Sequence, residues 1–132
     1  MKKKTPKNAV ELSWEEMCEV AEREIKRLCA GLPPALRARA ESVPVLFEPR
    51  PSAAMQVDGI EEDTLGLFIG PEWAEEGEVP MPPQIILYLE NLREFSETEG
   101  QRLGDEIKTT FLHELGHYFG LDEGELGERG LE

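Results

Sequence analysis

The sequence has no apolar run that could cross a membrane. Its longest uninterrupted apolar stretch, residues 85–89, is far shorter than the roughly 20 residues that a spanning helix needs. Polar and acidic residues follow the basic N-terminus, where a secretory signal would have its apolar segment. We therefore expect a cytoplasmic protein with no membrane partner.

Basic residues are few relative to acidic ones. The chain has 14 Lys and Arg against 28 Asp and Glu, which gives a formal net charge of −14. A field of that sign repels phosphate backbones, so we expect no nucleic-acid partner. The one basic cluster, formed by Lys2, Lys3, Lys4 and Lys7, is too small to reverse this expectation.

Cysteine is scarce as well. Cys18 and Cys29 are the two cysteines of the chain, and they fall eleven positions apart in one predicted helix. That spacing corresponds to about 16 Å along a helix axis, whereas a disulfide needs Cα atoms within about 7 Å. We expect two reduced thiols.

The rest of the composition is that of a globular protein. Of the 132 residues, 39% are hydrophobic and 32% are charged, and the length suits one domain. We expect residues 1–132 to form a single α+β domain, with a loose N-terminal arm at 1–10 and a short acidic tail at 124–132.

The first predicted helix begins after Ser13. Ser13 and Glu16 have the spacing of a capping box, and Gly31 followed by prolines ends the helix. A shorter helix is predicted at 35–41. The long helix has one apolar stripe, formed by Trp14, Met17, Cys18, Ala21, Ile25, Leu28 and Cys29.

Three strands are predicted next, at residues 43–48, 65–70 and 84–90, each bounded by proline, glycine or acidic residues. The intervening segments, 49–64 and 71–83, are predicted to be loops. Seven acids and no base occur from 61 to 78, namely Glu61, Glu62, Asp63, Glu72, Glu75, Glu76 and Glu78. A solvated loop rim is favoured over a cation site for them.

The last long helix is predicted over residues 96–119. Ser96 and Glu99 form a second candidate capping box, although the glycines that follow could delay the start to Asp105. The apolar face is formed by Ile107, Phe111, Leu115 and Tyr118, flanked by Leu112 and Phe119. At 100° per residue, His113 and His117 point roughly the opposite way.

The first candidate metal-binding residues of the chain lie in this helix. Residues 113–117 read His-Glu-Leu-Gly-His, the HExxH pattern, and contain both histidines of the sequence. Imidazoles four residues apart lie one turn above each other and can reach one ion, with Glu114 beside a water on that ion. The alternative is a pair of surface histidines without a metal. We predict a zinc site with His113 and His117 as ligands.

A third protein ligand must come from elsewhere, because zinc sites of this kind usually have three. Gly120 can adopt the left-handed conformation that ends a helix and turns the chain back. Residues 113–123 thereby fit HExxHxxGxxE, in which Glu123 occupies the position of the third metzincin ligand. Asp122 is the alternative, since an irregular turn could aim either carboxylate at the ion.

Residues 109–123, which read TTFLHELGHYFGLDE, resemble the small bacterial zincin-like metallopeptidases. The order of elements over residues 10–126 is also similar to theirs. The resemblance implies a minimal zincin-like domain with an N-terminal helix, a sheet of about three strands and a C-terminal HExxH helix. The chain departs from metzincins in having no methionine after the motif, and from gluzincins in having no room for a second helix there.

The function expected from these residues is zinc-dependent peptide hydrolysis. A zinc-bound water would attack the carbonyl, with Glu114 as the general base and one Zn²⁺ ion as cofactor. The substrate would be a peptide or an unstructured protein segment. Two alternatives remain: a catalytically inactive zinc-binding or interaction module, and a hydrolase of a non-peptide bond. Tyr118 and Tyr88 are candidate oxyanion donors, but Tyr118 shares the apolar face of its helix and is predicted to lie in the core.

Overall fold

A computed structural model describes residues 12–76 and 81–121. The predicted arm at 1–10 and tail at 124–132 lie outside these residues. Within them the order of elements is a long helix, a short helix, two strands separated by one helical turn, a third strand and two final helices. This arrangement confirms the predicted α+β class with an N-terminal helix, a three-stranded sheet and a C-terminal motif helix.

The first helix, α1 (Trp14–Ala30), forms as predicted. Ser13 and Glu16 make both hydrogen bonds of the capping box, and Gly31 caps the C-terminal end. The stripe is buried at Met17 and Ala21, but Trp14 remains 39% exposed. Helical side chains lean over the preceding turn, and Trp14 at the first position has no such turn to cover. A second helix, α2 (Pro34–Ser42), follows.

Both cysteines are free, as predicted. Cys29 is buried in the core and Cys18 is half-buried. Burial raises the pKa of the Cys29 thiol, and the nearby Glu41 carboxylate raises it further. The thiol therefore stays protonated at neutral pH and acts as a small apolar side chain.

The sheet contains three strands, β1 (Val45–Glu48), β2 (Gly66–Ile69) and β3 (Gln84–Tyr88). Their spatial order is β1-β3-β2, with β1 parallel and β2 antiparallel to β3. All three strands were predicted, each slightly too long. At β3 the excess lies at the C-terminal end, because Leu89 already belongs to the following helix.

The prediction of one long C-terminal helix from residue 96 is wrong at its start. A separate helix, α4 (Leu89–Glu99), precedes α5 (Leu103–Tyr118). Gly100 separates them in the left-handed conformation, with a φ of 69°. Ser96 caps nothing, because it is buried within α4 and its hydroxyl donates to the Arg93 carbonyl.

Two short elements occur in segments predicted to be loops. One is α3 (Ala53–Val57), where the Ser52 side chain accepts a hydrogen bond from the Met55 N–H. The other is a single 3₁₀ turn, Trp73–Glu75. Neither has the length or periodicity by which a helix is recognised in a sequence.

The core lies where α5 packs on the sheet and on α1 and α4. Ile107, Leu115 and Tyr118 are fully buried, and Phe111 is 1% exposed, so the predicted apolar face is confirmed. No helix within the described residues is long and apolar enough to cross a membrane. With this face buried, α5 turns its histidine-bearing side towards the free edge of β2.

Candidate metal centre

The two histidines meet at one point on the surface of α5. Their Nε2 atoms are 3.1 Å apart, and the rings stand at 89° with centroids 4.6 Å apart. His113 is half-buried and His117 is exposed. One ligand atom from each histidine and one from Glu114 lie within 4.8 Å of one another.

This donor set fits a zinc ion. Two nitrogens at Zn–N distances of 2.0–2.1 Å in a tetrahedral arrangement are about 3.3 Å apart. The observed 3.1 Å separation of the His113 and His117 nitrogens needs only a small rotation of either ring to match this value. Neutral imidazoles with a nearby carboxylate are also the ligand chemistry that zinc favours. The two residues could therefore share one ion.

Glu114 lies against the free edge of β2. Its carboxylate accepts a hydrogen bond from the backbone N–H of Phe68. Burial raises the pKa of Glu114, while His117, His113 and the Phe68 N–H act in the opposite direction. The carboxylate is thus partly desolvated and held by a backbone donor of the neighbouring strand.

The register of the sheet explains why Phe68 is available. The Tyr88 N–H donates to the Leu65 carbonyl at 3.0 Å, and Gly66 and Phe68 face Leu87 and Ile85 on β3. Hydrogen-bonded and non-hydrogen-bonded positions alternate along antiparallel strands. Gly66 and Phe68 consequently direct their backbone groups away from β3, towards the motif helix.

Gly66 permits the close approach of β2 to α5. A Cβ atom at this position would lie 2.6 Å from Thr110 Cγ2 and 3.4 Å from Glu114 Cγ. Contacts shorter than about 3 Å are strongly repulsive, so a larger residue would push the strand and the helix apart. The distance between β2 and Glu114 therefore depends on a glycine.

The turn after the motif has the predicted left-handed glycine. Gly120 has a φ of 76°. Its N–H donates to the His117 carbonyl, and the Leu121 N–H donates to the Gly116 carbonyl, both at 3.0 Å. These two bonds form a Schellman motif, which reverses the chain at the end of α5. Asp122 and Glu123, the candidates for the third ligand, lie just beyond the described residues.

Two cavities flank Glu114 along β2. The larger, about 590 Å³, we call the acidic cavity, and the smaller, about 280 Å³, the threonine cavity. The acidic cavity is lined by Gly66, Leu67, Phe68, Gly70, Glu72, Glu75, Glu114 and His117. The threonine cavity is lined by Leu65, Gly66, Thr109, Thr110, His113 and Glu114. Gly66 and Glu114 lie on the boundary between them.

The predicted acidic loop is divided by the fold. Glu72 and Glu75 are exposed and line the acidic cavity, whereas Glu62 and Asp63 line a different cavity. Glu76 is half-buried. The prediction of a solvated rim is confirmed for the exposed acids, but it missed that two of them border the histidine site. Glu78 lies outside the described residues.

Tyr118 and Tyr88, the two candidate oxyanion donors, are fully buried. The Tyr118 hydroxyl donates to the Glu76 carboxylate. Burial and this carboxylate raise the pKa of Tyr118 to about 12. The core position predicted for Tyr118 is confirmed, and Tyr88 is equally remote from solvent.

Sequence comparison supports the assignment that this geometry suggests. A family model described as zincin-like metallopeptidase matches residues 40–131, which is well over half of the chain and includes the sheet and the motif helix. A search of curated proteins found no significant match. With an HExxH helix beside the edge strand of a small mixed sheet, the chain belongs to the zincin-like metallopeptidase family.

Proposed function

We propose that the protein is a zinc-dependent peptidase in which Glu114 acts as the general base. The observation that carries the proposal is the convergence of the His113 and His117 nitrogens beside Glu114, next to the free edge of β2. Membership of the zincin-like family implies zinc binding and supports a hydrolase.

His113 and His117 would hold one zinc ion, with Glu123 as the preferred third ligand and Asp122 as the alternative. When bound, zinc supplies a Lewis acid that polarises a carbonyl and lowers the pKa of water. Glu114 would take a proton from the attacking water and return it to the leaving amine. The hydrogen bond from the Phe68 N–H orients the carboxylate for this transfer.

The proposed substrate is a peptide or an unstructured protein segment. The backbone groups of Gly66 and Phe68 point away from β3. Gly66 borders both cavities beside Glu114, and Phe68 borders the acidic cavity. Exposed strand edges bind extended chains through main-chain hydrogen bonds. An extended segment could follow β2 and place one of its carbonyls near the histidines.

The proposal is tested by incubating zinc-loaded protein with a diverse peptide library and identifying products by mass spectrometry. We expect slow cleavage that a chelator stops and added zinc restores. A catalytically inactive zinc-binding module would bind zinc and yield no products. A hydrolase of non-peptide bonds would leave the peptide library intact but cleave an ester panel.

The third ligand gives a separate prediction. Glu123 follows Gly120 by three residues, which is the position of the third ligand in HExxHxxGxxE. We therefore expect Glu123→Ala to weaken zinc binding more than Asp122→Ala does. Each variant removes one negative charge, and the two positions are adjacent in the sequence, so a general electrostatic effect would be nearly equal in the two. Zinc affinity measured by competition with a chromophoric chelator distinguishes them. A stronger loss in Asp122→Ala would identify Asp122 as the ligand.

A further inference from the structure

The two cavities beside Glu114 differ in charge. Beyond Gly66 and Glu114, which they share, the described lining of the threonine cavity contains the His113 imidazole and no further carboxylate, lysine or arginine. The acidic cavity adds the carboxylates of Glu72 and Glu75, and its described lining contains neither lysine nor arginine. A chain that follows β2 across Glu114 therefore meets negative charge on one side of the reacting position.

Side-chain contacts hold the segment that carries these carboxylates. Trp73 packs on Phe119 with ring centroids 6.0 Å apart, and the Arg39 guanidinium lies 4.7 Å above the Trp73 ring. Glu76 pairs with Arg39 at 3.1 Å and accepts the Tyr118 hydroxyl. Tyr118 and Phe119 lie at the end of the motif helix, so these contacts fix the position of the segment relative to the histidine site.

Glu72 itself lies beside the turn that follows the motif. Its Oε1 atom is 3.1 Å from the position that a Cβ atom on Gly120 would occupy. Among the ion pairs within residues 12–76 and 81–121, none includes Glu72 or Glu75. Their charge is thus available to a ligand in the acidic cavity.

We propose that Glu72 and Glu75 select substrates with a cationic group on one side of the cleaved bond. This inference rests on the proposed peptidase function. The cation is either a lysine or arginine side chain or the free N-terminal ammonium of a short peptide. Both would place positive charge in the acidic cavity and not in the threonine cavity. A preference due to net charge alone would have no such sidedness.

The test uses capped octapeptides of alanine and glycine with a single lysine, glutamine or glutamate at each position in turn. A parallel set with free N-termini separates the ammonium from the lysine side chain. The variant is Glu72→Gln/Glu75→Gln, and the matched control is Glu61→Gln/Glu62→Gln. The control removes the same charge from the same acidic stretch of sequence, away from the acidic cavity.

Wild-type protein should favour lysine over glutamine on one side of the cleaved bond, or favour free over capped N-termini. The double variant should reduce that ratio about threefold to tenfold, the range expected for two exposed charge pairs. The control should change it less than about twofold, and rising salt should diminish the preference. Equal lysine preference on both sides, or equal loss in variant and control, would overturn the proposal.

A binding measurement separates this inference from the peptidase proposal. Affinities of the lysine and glutamine peptides are measured by calorimetry on zinc-loaded Glu114→Gln, with and without the two cavity substitutions. A lysine preference lost only with Glu72 and Glu75 supports the inference even if no peptide is cleaved. A preference that survives their substitution refutes it. The proposal requires the zinc content of Glu72→Gln/Glu75→Gln to equal that of the wild type. Loss of zinc in this variant would identify Glu72 or Glu75 as a zinc ligand and overturn the proposed role in specificity.

Discussion

Glu114→Gln should reduce peptide cleavage by about 10²–10⁴-fold, the usual contribution of a general base. Glutamine has nearly the same shape as glutamate, and its side-chain oxygen can still accept the hydrogen bond from Phe68. The amide cannot take a proton from water. The chemical step should therefore be lost while the fold and the zinc content are retained. Single-turnover cleavage, circular dichroism and zinc analysis of the same preparation measure the three quantities.

The matched control for this variant is Glu106→Gln. Glu106 is on the same helix, in its first turn, and does not belong to the histidine cluster. Its substitution changes the net charge equally, at a half-buried position outside the histidine cluster. Because Glu106 takes no part in the reaction, we expect cleavage within about twofold of wild type. Full activity in Glu114→Gln would exclude Glu114 as the base. Equal losses in both variants would indicate a general effect of charge.

His113→Ala and His117→Ala should each abolish stoichiometric zinc binding. Each substitution leaves at most two of the three expected ligands. Loss of an outer-shell partner already costs about 10–100-fold in metal affinity, so loss of a ligand should exceed 100-fold. Elemental analysis after dialysis, followed by competition with a chromophoric chelator, measures the effect. Glu114→Gln is the control, because it alters the same cluster and is expected to keep the metal.

The two histidine variants also differ in an informative way. His117 is exposed, so its removal should leave the free energy of unfolding of the metal-free protein nearly unchanged. His113 is half-buried beside Gly66 and the threonines of the motif helix, so its removal also reduces packing. Zinc loss in His117→Ala is therefore the cleaner evidence. Unchanged zinc content in both variants would place the metal elsewhere in the chain.

The features that the sequence by itself determined are those set by local spacing. The capping box at Ser13, the stripe on α1 and the buried face of α5 depend on side chains three or four residues apart. The meeting of His113 and His117 follows from the same spacing. The left-handed turn at Gly120 follows from the absence of a Cβ atom in glycine. These features could be predicted without knowing what packs against them.

The start of α4 was harder to predict. The apolar run that forms β3 continues into the first turn of α4, so neither periodicity nor polarity marks the boundary at Leu89. Ser96 has the residue type and spacing of a cap, yet it is buried inside a helix that begins seven residues earlier. Packing of Leu89 and Leu92 into the core outweighs that local signal.

The surroundings of the histidines were decided only by the tertiary structure. Glu72 and Glu75 reach the motif helix because Trp73 and Glu76 bind side chains at the end of α5, more than 40 positions away in sequence. Phe68 donates to Glu114 because Gly66 lets β2 approach the helix and the register turns that N–H outward. Local spacing determines which face a side chain occupies. What lies opposite that face depends on contacts between distant segments, which form only when the sheet and the helices pack together.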